Sequence, residues 1–406
     1  MDKTSSYLPF TRPTIDDETI EGVVQVLRSG WLATGPQVKN FEDMLADYLS
    51  NDLSDNLSNQ EIKKKRIIKS FTSATAGLEI ALQICGIGEG DEVITSALSF
   101  AATSNVIMRV GAKPIFVDVD LDTRNIKLED IPKVITKKTK AIMPVHFAGL
   151  AVDMDKLYSY AREYNLRVIE DAAHAIGSSW RGKKIGSFGD LVVFSFHPNK
   201  NMTTIEGGAI SLASDCVDEA KKVELHRWHG LTKDTQNNTD VVLAGGKSNL
   251  SDVAARVGIG QLKRLDEFNK KRRELVAVYY ELLCKNSLLN NNVCLPAYPK
   301  ETDGGMEGHS FHMFAPLICF DKLKISRQQF ISDMQKKGIG VGIHYPAIHL
   351  FELYRKLGYR EGAFANAERI GNTTVTLPLF PAMQRADVER VCETMNELFD
   401  GYSGRV

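Results

Sequence analysis

The feature that most constrains the fold is a regular alternation of expected strands and helices between about residues 66 and 211. Short β-branched runs, such as 166–170, alternate there with segments of helical periodicity, such as 74–82. This alternation is typical of a mostly parallel sheet with helices on both faces. Ligands bind such sheets at the carboxyl ends of the strands. The sequence therefore predicts an α/β fold whose functional residues follow the strands.

One lysine lies in a polar loop directly after an apolar strand. The stretch 194–208 places Lys200 between polar residues and a Gly-Gly pair. An amine whose pKa is lowered by burial becomes a carbonyl nucleophile, and such lysines commonly carry pyridoxal phosphate (PLP) as a Schiff base. A surface lysine in a turn explains this loop about equally well, since lysines near glycines are common. Other segments must decide between the two interpretations.

A second strand ends in an aspartate. The segment 166–175 delivers Asp171 to the carboxyl end of a β-branched run. A carboxylate there can pair with the protonated pyridine nitrogen of PLP and keep the ring an electron sink. The alternative is an N-cap of the turn at 172–175, a frequent use of aspartate. Capping alone would not explain the lysine loop about thirty residues later.

A third strand runs into small hydroxylated residues and then into a helix, over 67–82. Free backbone N–H groups, small side chains and hydroxyls at a helix N-terminus can hold a phosphate. Ordinary Ser/Thr capping of a helix is the alternative. Phe100 follows the next strand and could stack on a pyridine ring, although most phenylalanines lie in the core.

These segments, in this order, resemble the PLP-dependent sugar aminotransferases of the DegT/DnrJ/EryC1/StrS family, which have the aspartate-aminotransferase fold (fold type I). The resemblance covers nearly the whole chain. Further matching segments are 9–13, 29–36, 145–149 and 377–381. Within the family, three stretches look most like the UDP-4-amino-4-deoxy-L-arabinose–oxoglutarate aminotransferases. These stretches are 73–77, 170–175 and 194–197.

The resemblance implies a role for each matching residue of the cofactor site. Lys200 would hold PLP as a Schiff base and move the substrate proton, and Asp171 would pair with the pyridine nitrogen. Phe100 would stack on one ring face, and His174 would lie near the 3-hydroxyl. The other implied cofactor contacts are the main chain of Thr75 and Ala76, the Ser195 hydroxyl and, across a homodimer interface, Asn249. The active sites of the homodimer would therefore be shared between subunits.

The implied architecture is a large PLP-binding domain at 1–259 and a smaller α+β domain at 260–406. The implied reaction moves an amino group from an amino acid, expected to be L-glutamate, to a nucleotide-linked keto sugar. The leading expectation is C4 of a UDP-linked sugar, for surface polysaccharide or lipopolysaccharide synthesis. The alternatives are a 3-aminotransferase for a dTDP- or GDP-linked sugar and a catalytically idle regulatory protein. A sugar 3-dehydratase is disfavoured, because those enzymes replace the lysine with histidine.

Substrate contacts are predicted more loosely than cofactor contacts. Arg12 and Lys247 are candidates for the carboxylate of the amino donor. His344 and Tyr345 are candidate sugar contacts, and Trp31, in the family-like segment 29–36, is a further candidate substrate contact. The chain departs from the family at Ser248, where an aromatic residue is usual, and at Ile205, where glycine or alanine is usual. The second departure is expected to affect only packing beneath the lysine loop.

Composition bears on other functional classes. The 50 basic and 51 acidic residues give a net charge of −1, which provides no field that would favour nucleic acid or an acidic membrane. The six cysteines and the His309/His312 and His344/His349 pairs lack metal-ligand spacing, so we predict no metal site.

No signal peptide and no apolar run of roughly 18 residues is seen, which predicts a cytoplasmic protein. The polar segment 51–65 is expected to be an inserted surface loop.

Overall fold

A computed structural model describes residues 7–50, 65–297, 299 and 305–403. The expected inserted loop lies outside the described residues, apart from Lys65. The helices are α1 (Asp17–Ser29), α2 (Pro36–Ser50), α3 (Ala74–Ile84), α4 (Ala102–Arg109), α5 (Ile131–Val134), α6 (Met154–Glu163), α7 (Val217–Arg227), α8 (Asp252–Lys263), α9 (Leu265–Lys285), α10 (Ser287–Asn292), α11 (Phe320–Leu323), α12 (Arg327–Lys336), α13 (Glu352–Lys356), α14 (Ala365–Thr373) and α15 (Arg385–Ser403). The strands are β1 (Ile67–Phe71), β2 (Glu92–Ser96), β3 (Lys113–Val117), β4 (Thr139–Met143), β5 (Arg167–Asp171), β6 (Ser179–Trp180), β7 (Lys183–Lys184), β8 (Leu191–Ser195), β9 (Gly208–Leu212), β10 (Leu231–Lys233), β11 (Thr239–Val241), β12 (Val293–Cys294) and β13 (Leu317–Ile318).

A seven-stranded sheet with the order β1-β9-β8-β5-β4-β2-β3 forms the centre of the molecule. The neighbouring strands from β8 through β5, β4 and β2 to β3 pair in parallel. Strand β9 runs antiparallel to both of its neighbours, β1 and β8. The predicted α/β class with a mostly parallel sheet is therefore confirmed. Among the described helices, none is both long and apolar enough to cross a membrane.

Helices cover both faces of this sheet because its strands are apolar on both sides. Val193 belongs to a buried cluster that includes Leu78 of α3. The next residue of β8, Phe194, points to the other face and belongs to a cluster with Phe41 of α2. Full burial of one such side chain contributes roughly 1.5–3 kcal/mol. Alternation along each strand thus fixes the sheet between two helical layers.

Strand register gathers three segments at one edge of the sheet. Phe71 at the end of β1 and Ser195 at the end of β8 both lie opposite Gly208, the first residue of β9. A Cβ atom at Gly208 would lie 2.5 Å from the backbone nitrogen of Ala74, so only glycine fits there. This edge therefore brings the first turn of α3 against the ends of β1 and β8.

A second buried cluster is built mainly from the C-terminal third of the chain. Helix α9 packs against α15 in this cluster, and the short strands β12 and β13 pair beside them. The N-terminal segment joins it through Leu8, whose N–H donates to Gly338 O and whose carbonyl accepts from Gly340 N, each at 2.8 Å. The first cluster extends to Leu265, and the second includes Leu275 in the same helix. The division into 1–259 and 260–406 remains a prediction.

Helix α1 ends at Gly30, which has the left-handed φ of 74°. Its apolar residues do not all face the core. Ile20 and Leu27 are 52% and 53% exposed. The buried face uses Gly22 instead, where a Cβ atom would meet Arg256 of α8 at 2.0 Å. Thr19 and Val26 are buried with Gly22, so the buried side of α1 carries small and β-branched residues, and Ile20 and Leu27 lie outside it.

Candidate active site

A cavity of about 390 Å³ lies at the carboxyl edge of the sheet, where the strand register predicts a ligand site. Its wall includes Thr75 at the start of α3, Asp171 at the end of β5, and Ser195 at the end of β8. Lys200 from the following loop closes one side of the cavity. His344 and Tyr345, far away in sequence, contribute the opposite border. Residues predicted from separate motifs therefore meet in one place.

Lys200 is held in this wall by a tight turn. Its backbone N–H donates to His197 O at 2.8 Å. Loss of hydration in the crowded cavity lowers the pKa of Lys200 to about 8, and the nearby Asp171 carboxylate opposes part of this shift. A lysine with this pKa is partly neutral near pH 7, as a nucleophilic amine must be. The surface-lysine interpretation does not explain this environment.

Asp171 is a buried carboxylate with defined partners. Its Oδ2 accepts from Thr103 Oγ1 at 2.7 Å, and its Oδ1 accepts from the Ala173 N–H at 3.1 Å. Burial raises the pKa of Asp171, although both hydrogen bonds act in the opposite direction. Capping of the turn at 172–175 therefore explains the contact of Asp171 Oδ1 but not that of Oδ2. A cationic ring nitrogen beside this carboxylate would offset the desolvation of its negative charge.

The predicted phosphate seat is the first turn of α3. Ser73 is the N-cap, and its hydroxyl accepts from the Ala76 N–H at 3.2 Å. Ala76 was expected to offer its main chain to the phosphate, but its N–H is already used by this cap. Ala74 and Thr75 line the cavity, as does the Ser195 side chain. The backbone N–H groups of Ala74 and Thr75 are therefore better placed than that of Ala76 to donate hydrogen bonds to a phosphate.

His174 lies in the wall as a neutral ring. The Ala148 N–H donates to its Nδ1 at 3.3 Å, so the ring proton belongs on Nε2, which lies 3.3 Å from the Tyr345 hydroxyl. The ring stacks on His312 with centroids 4.4 Å apart. Burial and the neighbouring Lys200 hold the pKa of His174 well below 6.5. His174 can therefore donate a hydrogen bond from Nε2 to an acceptor in the cavity.

Phe100 has the position expected of a stacking side chain. It lines the cavity yet is 58% exposed, which is unusual for a large apolar side chain. Its ring lies 5.9 Å from that of Tyr345, with the two planes tilted by 52°. An aromatic face open toward the cavity is available to a planar ligand.

Five of the expected residues, all within the described part of the chain, do not line the Lys200 cavity. Ala76 lies in the first turn of α3 but outside the wall, and the other four are Arg12, Trp31, Lys247 and Asn249. Asn249 lines a separate cleft of about 720 Å³, where its amide donates to Thr34 Oγ1. The Lys247 ammonium group lies 4.5 Å from the ring centre of Trp228, which also lines this cleft. We call this second region the Asn249 cleft.

Sequence reasoning missed several residues that shape the cavity. Thr103 was not singled out, although it comes one helical turn after Ser99, whose hydroxyl bonds to it at 2.8 Å. His312 was considered only as a metal ligand, and no local pattern indicates its stack on His174. Ile205 has a φ of 72° and is 52% exposed, so its departure from glycine affects backbone conformation rather than packing beneath the loop. The described residues contain no group of three potential metal ligands.

Comparisons with known proteins agree with this geometry. The model of the DegT/DnrJ/EryC1/StrS aminotransferase family matches residues 13–396. The chain is 37% identical to the uncharacterized protein MJ1066 of Methanocaldococcus jannaschii, over 97% of this chain and 98% of that protein. It is 35% identical to the spore coat polysaccharide biosynthesis protein SpsC of Bacillus subtilis, over 98% of this chain and 99% of that protein.

Solved structures give the same result. Spr1654 of Streptococcus pneumoniae, described as a sugar aminotransferase in its PLP form, has a TM-score of 0.85 and 29% identity, covering 98% of this chain and 99% of that chain. PseC of Helicobacter pylori, an aminotransferase of pseudoaminic acid biosynthesis, has a TM-score of 0.85 and 26% identity, covering 98% and 100%. From matches of this extent we conclude that the chain belongs to the DegT/DnrJ/EryC1/StrS aminotransferase family, which consists of PLP-dependent sugar aminotransferases of fold type I.

Proposed function

We propose that this enzyme transfers an amino group from L-glutamate to C4 of a UDP-linked keto sugar. Three stretches of the sequence support this choice within the family, because they look most like the UDP-4-amino-4-deoxy-L-arabinose–oxoglutarate aminotransferases. The description of SpsC as a spore coat polysaccharide protein supports a role in surface polysaccharide or lipopolysaccharide synthesis. We place the reaction in the cytoplasm, where nucleotide sugars are made.

The observation that carries the proposal is the meeting of Lys200 and Asp171 in one cavity with opposite pKa shifts. Bound PLP supplies an electron sink for the electrons of a substrate C–H bond. Asp171 would hold the ring nitrogen, and Thr75 and Ser195 would hold the phosphate. Phe100 would cover one ring face, and the Nε2–H of His174 would donate to the 3-hydroxyl oxygen. These residues fit the cofactor in size, charge and hydrogen-bonding capacity.

Lys200 would act twice in each half-reaction. Its Nζ would hold the cofactor until the amino donor binds, and the free amine would then take the proton from the Cα atom of glutamate. A pKa of about 8 suits this exchange, because the amine can both accept and return a proton near neutral pH. The same residue would return a proton to the sugar carbon that receives the amino group.

We also propose that two copies of the chain share each active site. Asn249 would reach the phosphate bound by the neighbouring subunit, which accounts for its place outside the Lys200 cavity of its own subunit. Large apolar side chains are exposed on the single subunit in both regions, Phe100 at the Lys200 cavity and Trp228 at the Asn249 cleft, and a second subunit would cover them. The other exposed apolar side chains that an interface would cover are Leu27, Trp31, Leu32, Ile205, Val241 and Val242.

Half-reactions test the proposal directly. Purified enzyme in the PLP form should lose its absorbance near 420 nm when L-glutamate is added, and release 2-oxoglutarate. The aminated enzyme is then offered UDP-, dTDP- and GDP-linked 3-keto and 4-keto sugars, and each product is located by NMR. Preference for a UDP-linked 4-keto sugar supports the proposal. Preference for a dTDP- or GDP-linked 3-keto sugar would replace it with the 3-aminotransferase, and no response to glutamate would favour the idle regulatory protein.

A further inference from the structure

A second, much smaller cavity adjoins the Lys200 cavity. Its volume is about 10 Å³, close to the space that one water-sized group needs. The two cavities share Asn199 and His344 as wall residues. Asn199 directly precedes Lys200, so the small cavity borders the loop that carries the reactive amine. The polar residues in its wall are Thr11, Asn199, His312, His344 and Thr376.

His312 has an unexplained polar atom. The residue is buried, and its Nδ1 has no hydrogen-bond partner among the described residues. Leaving a buried nitrogen unsatisfied costs about 1–3 kcal/mol. A phenylalanine would stack on His174 without this cost, so packing alone does not explain the choice of imidazole. An imidazole at this position makes physical sense if a ligand group bonds to it.

His344 also lines the small cavity, and its ring is held in place. Its Nδ1 lies 2.8 Å from Thr376 Oγ1, and this contact sets the orientation of the ring. Burial and the proximity of Lys200 lower the pKa of His344 to about 4 and hold that of His312 well below 6.5. Both rings are therefore neutral at pH 7. Neutral imidazoles donate and accept hydrogen bonds, which matches an uncharged hydroxyl better than a carboxylate or a phosphate.

We propose that the small cavity is a hydroxyl subsite, in which His312 and His344 bind the ring hydroxyl of the acceptor sugar next to its keto carbon. This inference rests on the proposed function, because it places the sugar in the Lys200 cavity with its keto group near Nζ. A hydroxyl next to the keto carbon would then project toward Asn199 and the small cavity. A site built to bond a hydroxyl rejects an analogue that lacks it, so the subsite would help to select the sugar.

A substrate-analogue cycle tests the subsite. Wild-type enzyme and the His312→Phe variant, which keeps a flat ring against His174, are each assayed with a UDP-linked 4-keto sugar and with its 3-deoxy counterpart. With wild type, the missing hydroxyl should lower kcat/KM about five- to tenfold, the size of one neutral hydrogen bond. In the variant this preference should become clearly smaller, because only the His344 contact remains. Because the ratio of the two kcat/KM values is taken within each protein, a general loss of activity caused by the substitution cancels.

Thr376→Val is the second variant, because it removes the hydroxyl that orients His344 and keeps the side-chain shape. It should reduce the same preference, and the absorbance of bound PLP verifies that each variant is folded and loaded. Equal preference for the 3-hydroxyl in wild type and both variants would overturn the subsite, as would a wild type that does not discriminate the two sugars. If wild type aminates neither sugar, the proposed function is refuted together with the subsite. If wild type aminates both sugars without discriminating them, only the subsite is refuted, so the two failures are distinguishable.

Discussion

The Lys200 cavity and the Asn249 cleft were predicted by the same kind of reasoning, yet they differ in construction. The cavity is made at one edge of the sheet, where β5 and β8 end and α3 begins. The cleft is lined by residues on and around α7 and by Asn249, whose side chain bonds within its own subunit. The cavity gathers the Lys200 amine, the buried Asp171 carboxylate and the first turn of α3, whereas the amine and carboxylate in the wall of the cleft, Lys221 and Glu224, are exposed to solvent.

Sequence motifs that the family resemblance assigns to one active site thus lie in two separate regions of this chain. Residues at strand ends must converge, because a parallel sheet aligns those ends. Asn249 is under no such constraint, and the family resemblance assigns it to a site on a neighbouring copy. Asn249 therefore contributes to an active site only if the Asn249 cleft of one subunit meets the Lys200 cavity of its neighbour, that is, if the cleft acts in trans.

The largest effect is expected from Lys200→Ala, which removes the reactive amine of the cavity. Turnover should fall by several orders of magnitude, and borohydride should no longer fix PLP covalently to the protein, while PLP still binds noncovalently. Mass spectrometry after borohydride treatment and steady-state rates measure both effects. The exposed Lys183 provides a matched control, since Lys183→Ala should leave both unchanged. Near-wild-type turnover of Lys200→Ala would disprove the assignment.

Asp171→Asn should have the next largest effect. Removing the charge that keeps the ring nitrogen protonated should lower kcat by at least about a hundredfold, with substrate binding little altered. Thr103→Val is the graded control, because it removes only one hydrogen bond to Asp171 and should cost about five- to tenfold. A decrease in kcat of less than about threefold, which corresponds to roughly 0.65 kcal/mol of activation free energy, would mean that Asp171 only caps the turn at 172–175.

Mixed dimers address the Asn249 cleft. Asn249→Asp places a negative charge where a neighbour's phosphate would bind and should inactivate the homodimer. Mixing it with Lys200→Ala should restore about a quarter of wild-type activity after random exchange, because each heterodimer then has one intact site. Activity recovered on mixing is measured alongside subunit exchange. Confirmed exchange without recovered activity, or a fully active wild-type monomer, would show that the cleft does not act in trans.

The smallest effect concerns the pH dependence of PLP capture by the apoenzyme. Only neutral Lys200 reacts, and its pKa of about 8 lies below the ordinary 10.5. The rate should therefore rise about tenfold from pH 7 to pH 9 and then level off. Asp171→Asn should shift this midpoint to lower pH, because the carboxylate raises the pKa of Lys200. A rate that continues to rise beyond pH 10 would indicate an ordinary lysine.

Much of the cavity could be anticipated from local sequence. The strand before Asp171 and the loop after β8 have clear patterns, and a parallel sheet aligns their ends. Thr103 and His312 could not be found this way. Thr103 reaches Asp171 across 68 positions of sequence, and His312 arrives from the second cluster to stack on His174. Contacts between distant segments depend on how elements pack, and no local periodicity records that.

The α/β class was predictable from hydrophobic periodicity, and the edge of the sheet follows because a parallel sheet aligns the ends of its strands. Lys200 and Asp171 have side chains that suit PLP chemistry, and the family resemblance assigns them their roles, which remain predictions. Tertiary packing places Asn249 and Lys247 away from the cavity, leaves Ile20 and Leu27 exposed, and brings His312 and His344 into the wall of one small cavity. Such outcomes depend on contacts between distant segments, as at Gly208, where the backbone of Ala74 leaves no room for a side chain.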